Sequence, residues 1–166
     1  MSARAAWRLE SLGFTQVMRY TAGKEDWFGS GLPREGRLSS VPHANDLARR
    51  DVPTCSLTDR AGELYSRIQG QGWNMCVVVN DQRVVLGLVK FGTSAPDPQA
   101  TAEEIMQSGP VTLRPSWPLG EIVSYMRDQD MDSVLVTTSD GELIGLLNRS
   151  DVEKRMEEVH RAHHGT

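Results

Sequence analysis

The chain has 166 residues, 39% of them apolar and 24% charged, with a net charge of −4. That length suits one domain or two very small ones, and the composition is too apolar for a disordered chain. The acidic balance argues against a general electrostatic grip on nucleic acid, no apolar run approaches the ~20 residues of a membrane span, and no secretory leader opens the sequence. Two cysteines, Cys55 and Cys76, make no disulfide framework, so a cytoplasmic location with neither a nucleic-acid nor a membrane partner is expected.

Residues 2–12 read as a helix, with Ser2 placed as N-cap and Ala6, Leu9 and Trp7 on one apolar face. Gly13 stands where a C-cap glycine belongs. Residues 14–20 (FTQVMRY) alternate as a short strand does, and residues 22–30 read as a second helix closed by Gly29, Gly31 and Pro33. The run SARAAWRLESLGFTQVMRYTAGKEDWFGSGLP resembles the C-terminal end of a rhodanese-like sulfurtransferase domain, covering residues 2 to about 36. The family's sulfur-carrying cysteine would precede Ser2, where this sequence has Met1, and neither Cys55 nor Cys76 falls in the matching stretch. A non-catalytic remnant over residues 1–36 is therefore expected, docking a helix and a strand onto the rest. Residues 37–43 then form a linker.

Residues 52–89 repeat as residues 110–147 without gaps at an offset of 58. Thr54 falls on Thr112, Gly62 on Gly120, Ser66 on Ser124, Val78 on Val136, Gly87 on Gly145 and Leu88 on Leu146. Cys55 falls on Leu113, Cys76 on Val134 and Trp73 on Met131, which marks all three as core residues, with stacking on a base as the alternative for Trp73. Each copy predicts a short lead-in helix, a brief extended segment, a helix (residues 61–69 and 119–128), a buried strand (75–79 and 133–137), a turn and a second strand. A closing helix follows from Ser150 in the second copy. Half-size sheets of this kind leave an apolar face open, and pairing closes it.

The stretch EEIMQSGPVTLRPSWPLGEIVSYMRDQDMDSVLVTTSDGELIGLLNRSDVEKRM resembles a CBS domain, and with the weaker first copy the chain resembles a tandem CBS pair, a Bateman module. The expected fold is α/β (α+β) with a pseudo-two-fold repeat: repeat 1 over residues 44–95, repeat 2 over 101–158 and a tail over 159–166. The resemblance implies a non-catalytic regulatory module. It would need no cofactor and would bind an adenosine-containing ligand such as AMP, ADP, ATP or S-adenosylmethionine between the copies, signalling by shape or assembly. It also implies a homodimer. An unknown protein partner, or a nucleotide-independent scaffold, is the alternative.

The family pattern of glycine, two apolar residues, Ser or Thr, two variable residues and Asp falls on Gly145, Leu146, Leu147, Asn148, Arg149, Ser150 and Asp151. By resemblance Asp151 accepts ribose hydroxyls, with Asn148 at the Ser/Thr position and Thr112 and Val134 contributing to the same ligand site. Asp151 equally suits the acidic start of a helix. Arg114 and Arg149 suit phosphate oxygens, or are two exposed cations. In the first copy Lys90 takes the Ser/Thr position and Thr93 the Asp position, so no ribose clamp is expected there; Lys90 faces either a phosphate or solvent. Trp117, just before a helix, marks a partner surface if exposed. His160, His163 and His164 share helical spacing, but without a carboxylate or cysteine no metal site is expected. No hydrolase or kinase motif is present.

Overall fold

A computed structural model describes residues 3–18, 20, 23–36, 41–92 and 97–164. The N-terminal segment forms two helices, α1 (Ala3–Ser11) and α2 (Gly23–Gly29). The first copy then supplies α3 (Ala44–Leu47), β1 (Thr54–Cys55), α4 (Ala61–Gln69), β2 (Met75–Val79) and β3 (Val85–Lys90). The second supplies α5 (Ala102–Ile105), β4 (Gln107–Ser108), β5 (Thr112–Leu113), α6 (Leu119–Asp128), β6 (Ser133–Thr137), β7 (Leu143–Asn148) and α7 (Arg149–His164). The result is α+β, with two small sheets ordered β1-β2-β3-β4 and β5-β6-β7.

The offset seen in the sequence recurs in the backbone. β2–β3 and β6–β7 are antiparallel pairs with matching registers, and both slip at the same place, between Val78 and Val79 and between Val136 and Thr137. β1 and β5 run parallel to β2 and β6. The two copies meet at a bridge between Val84 and Glu142, themselves equivalent positions, so the pseudo-two-fold axis passes there. Val85 N–H donates to Gly141 O at 3.0 Å and Leu143 N–H to Arg83 O at 2.9 Å, the same bond made in both directions.

Alternation along the strands divides the core into three parts. Cys55, Leu64, Ile68, Cys76, Val78 and Val89 pack beneath α4, and Leu113, Ile122, Met126, Val134, Val136 and Leu147 pack beneath α6 and α7. The opposite strand faces, with Val52, Met75, Val77 and Leu88 from one copy and Leu135, Leu143 and Leu146 from the other, make one cluster between the sheets. Each such side chain contributes about 1.5–3 kcal/mol when fully buried. Neither copy can bury that central face alone.

The lead-ins are exchanged. Ala44 N–H donates to Trp117 O at 2.8 Å, and Arg49 pairs with Leu146 of β7. Reciprocally, Ala102 N–H donates to Asp59 O at 2.9 Å, and β4 pairs with β3 through Gln107 and Leu88. This exchange explains the repeated glycines. A Cβ on Gly145 would stand 2.5 Å from the Arg49 carbonyl oxygen, and one on Gly87 would press on Met106 and lie 3.1 Å from the Gln107 carbonyl oxygen.

The N-terminal segment departs from expectation. Among the described residues of 14–20, Phe14 to Met18 and Tyr20 form no strand, against the prediction there. Ala6 is buried and Leu9 half-buried, but Trp7, Phe14 and Met18 are 65%, 61% and 89% exposed, so no apolar strand docks here. What does attach the segment is α2 and the turn after it: Gly29 approaches Ile144 and Pro115, Phe28 packs on the His43 ring at 5.0 Å, and Arg34 reaches α3. Gly13 ends α1 with φ +93°, as its C-cap placement predicts. Ser2, residues 37–40 of the linker and Thr93 lie outside the described residues.

Candidate functional site

The exchanged lead-ins create two equivalent clefts between the halves, one on each side of the pseudo-axis. One is open. Its volume is about 90 Å³, and it is lined by Leu88 and Lys90 of β3, Gln107 of β4, Pro110 and Val111 before β5, Met131, Ser133 to Leu135 of β6, and Leu146. Residues of both copies meet there. Lys90 is exposed at the strand end and supplies the one full charge among the lining residues.

The equivalent positions on the other side are Asn148 for Lys90, Arg49 for Gln107, Val52 for Pro110, Pro53 for Val111 and Trp73 for Met131. Here Trp73 packs against both the central cluster and the core beneath α4. The Arg49 guanidinium lies over its ring at 4.4 Å from the centroid. Arg49 is also clasped by Asp51, with Nη2 donating to Oδ2 at 2.7 Å and Nε to Oδ1 at 3.2 Å. That bond first, then the nearby charges of Asp51 and Asp151, raises the Arg49 pKa further above its ordinary value.

The six residues singled out from the sequence do not share one place. Val134 lines the open cleft, but its side chain packs in the core beneath α6, so its backbone is what it can offer a ligand. Thr112 is an exposed residue of β5 paired with Leu135. Asp151, in the first turn of α7, lies toward Arg49 and the other cleft, and accepts a 3.3 Å hydrogen bond from the Asn148 amide. Arg149 is occupied by Asp130 at 3.3 Å and Asp132 at 3.6 Å. Arg114 donates to the Thr138 carbonyl oxygen. The separation has a simple origin. The glycine-to-aspartate stretch leaves β7 toward the first copy's lead-in, while β5 and β6 face β3 across the opposite cleft. An offset comparison shows which positions are equivalent, but not that a site draws half its residues from each copy. Lys90, Gln107 and Met131 were the residues to pair, and the exchanged lead-in is the signal that pairs them.

The remaining candidates resolve as follows. Cys55 and Cys76 are buried beneath α4; a hydrogen bond between the two thiols, then burial, pushes Cys55 far above the ordinary thiol range. Trp117 is half-buried and meets Tyr125 edge-on at 5.4 Å. His160 is exposed, and the His163 and His164 side chains lie outside the described residues. Among the described residues no group of three or more His, Cys, Asp or Glu is placed to hold a metal ion, and no helix is long and apolar enough to cross a membrane.

Comparison with known proteins supports the repeat architecture. Residues 102–158 match the family model described as CBS domain. An uncharacterized protein of Methanopyrus kandleri is 26% identical over 115 residues, which is 64% of this chain and 59% of that relative's length. The structure of CBSX2 in complex with AMP matches with TM-score 0.62 and 16% identity, covering 72% of this chain and 99% of that one. The CBS domain pair of protein MJ0100, solved with 5′-methylthioadenosine and S-adenosyl-L-methionine, matches with TM-score 0.61 and 15% identity over 72% and 98% of the two chains. The rhodanese-like reading of residues 2–36 gains no support: the family match lies elsewhere, and the strand that reading requires is not formed. Residues 102–158 thus match the CBS domain, and the fold of the chain is that of a CBS domain pair.

Proposed function

We propose that this chain is a regulatory module that binds an adenine nucleotide in the open cleft and turns occupancy into a change of shape or assembly. It would act without catalysis and without a resident cofactor. The observation that carries this reading is the open cleft itself, built from both copies, apolar along its walls and cationic at Lys90. An apolar wall suits the base, and an ammonium group suits a phosphate. Neighbours of the same fold were solved with AMP, and with S-adenosyl-L-methionine and 5′-methylthioadenosine, so adenosine is the shared chemistry to test.

The cleft holds about 90 Å³, against roughly 300–1,000 Å³ for pockets that enclose small molecules. A nucleotide therefore has to part the halves, and that parting is the signal we propose. In this reading Asp151 is the acidic start of α7, and Thr112, Arg114 and Arg149 are structural or surface residues. A homodimer and a cytoplasmic location belong to the same proposal. The small volume also favours the second reading, a scaffold that binds a protein partner and ignores nucleotides.

Thermal melting with AMP, ADP, ATP and S-adenosylmethionine separates the two. A ligand at 100 times its Kd stabilises the folded chain by about 2.7 kcal/mol. Lys90→Ala is expected to weaken AMP at least tenfold, since a hydrogen bond to a charged group is worth about 1.5–3 kcal/mol. Asp151→Ala should leave the AMP affinity unchanged. The reverse pattern would move the ligand to the Arg49 side, and no shift with any of the four ligands would leave the scaffold.

A further inference from the structure

The two clefts are equivalent by the repeat but not by content. In the open one, Gln107 and Met131 both belong to the lining. At the same two positions across the axis stand Arg49 and Trp73, and they are stacked, guanidinium on indole at 4.4 Å. The indole is anchored from beneath by packing against two core clusters. The guanidinium is anchored from the side by two hydrogen bonds to Asp51. Its backbone is fixed as well: Arg49 N–H donates to Leu146 O at 2.8 Å, and Leu146 N–H donates back to Arg49 O at 2.9 Å. A flat cation lying on an aromatic face occupies the space in which a planar base would stack, and it is itself the kind of group that stacks best there.

We propose that Arg49 and Trp73 plug the first cleft, so that the chain takes one nucleotide rather than two and takes it only on the Lys90 side. This deepens the function proposed above and rests on it. The plug is intramolecular, so a nucleotide entering that cleft must first displace a pre-formed cation–π contact and strip Arg49 from Asp51. The open cleft makes no such demand. The pair also matches the unequal chemistry at the two cleft ends: Arg49 and Asp51 satisfy one another on one side, while Lys90 is the one charged group among the lining residues on the other.

Calorimetric titration of the full chain with AMP tests this. The wild-type chain should bind one AMP. The double variant Arg49→Gln with Trp73→Met, which writes the open cleft's residues into the closed one, should bind two. Adding Lys90→Ala to it should remove only one of them. Arg49→Gln alone, which leaves the indole in its core, should admit a second, weaker AMP and quench tryptophan fluorescence; circular dichroism checks the fold of each variant. Two AMP on the wild-type chain, or one on both the folded single and double variants, overturns the plug and leaves the proposed function standing. No AMP on the wild-type chain but one on either variant overturns the open-cleft function and keeps the plug. No binding by any of them overturns both.

Discussion

The two halves share a backbone plan down to the position of the strand slip, yet the two sides of the pseudo-axis differ in content: Arg49 lies on Trp73 on one, and Lys90 stands at the end of a cleft on the other. The difference lies in a few side chains at equivalent positions. Arginine for glutamine and tryptophan for methionine fill one cleft, and lysine for asparagine charges the end of the other. A duplicated fold fixes where sites stand; which of them can take a ligand is then decided by the few side chains that differ there.

The sharpest way to break this comparison is through the cores. Leu64 and Ile122 are equivalent and are 1% and 0% exposed. Leu64→Ala and Ile122→Ala should each cost about 2–5 kcal/mol. Because the central cluster draws on both sheets, each should lower a single melting transition of the whole molecule. Two separate transitions, with only one moved by each variant, would show that the halves are independent units.

A smaller effect should separate the paired glycines. Gly145→Ala drives a Cβ into backbone, the Arg49 carbonyl, whereas Gly87→Ala meets mainly the Met106 side chain, which can swing away. Overpacking of this kind costs about 1–3 kcal/mol, and chemical denaturation should place Gly145→Ala as the more damaging. Equal losses would mean that the two lead-ins fit their partner sheets alike.

The smallest effect distinguishes the lead-ins by pH. His43 and Thr101 occupy equivalent N-cap positions, with backbone N–H groups donating to Asp46 at 2.9 Å and to Glu104 at 2.7 Å. Only His43 titrates near neutrality. Burial, and then the charge of Arg34, lowers its pKa below 6.5, and Arg34 stands 2.6 Å from Nδ1, which suits an accepting, neutral ring. The folded chain thus binds this proton less readily than the unfolded one. The corresponding stability is complete above about pH 6.5 and is lost as pH falls through the lowered folded value. Melting temperatures between pH 7.5 and 5 should fall further for wild type than for His43→Gln; parallel curves would remove His43 as the source.

How far the sequence could be read depended on the range of the interactions. The helices at residues 61–69 and 119–128 and the paired strands were legible because their period and their repetition are local. The two cysteines were legible as core because Leu113 and Val134 stand at their equivalents. The strand at residues 14–20 was misread: alternation over so few residues carries little weight when no neighbouring strand is there to pair with. The sequence groups Asp151 and Val134 because they lie in the same copy, whereas the structure places Asp151 near Arg49 and Val134 in the lining of the Lys90 cleft.

By itself, then, the sequence determined the duplicated α+β halves, their helices and strands, and the need for each half to cover the other. Those properties follow from side-chain period and from apolar area that a half-size sheet leaves open. Only the tertiary structure decided that each lead-in crosses to the other half, that Gly87 and Gly145 are there to let it pass, and that Arg49 lies on Trp73 while Lys90 faces an open cleft. These depend on residues brought together across the chain, and no local pattern encodes which of two equivalent clefts its own side chains will fill.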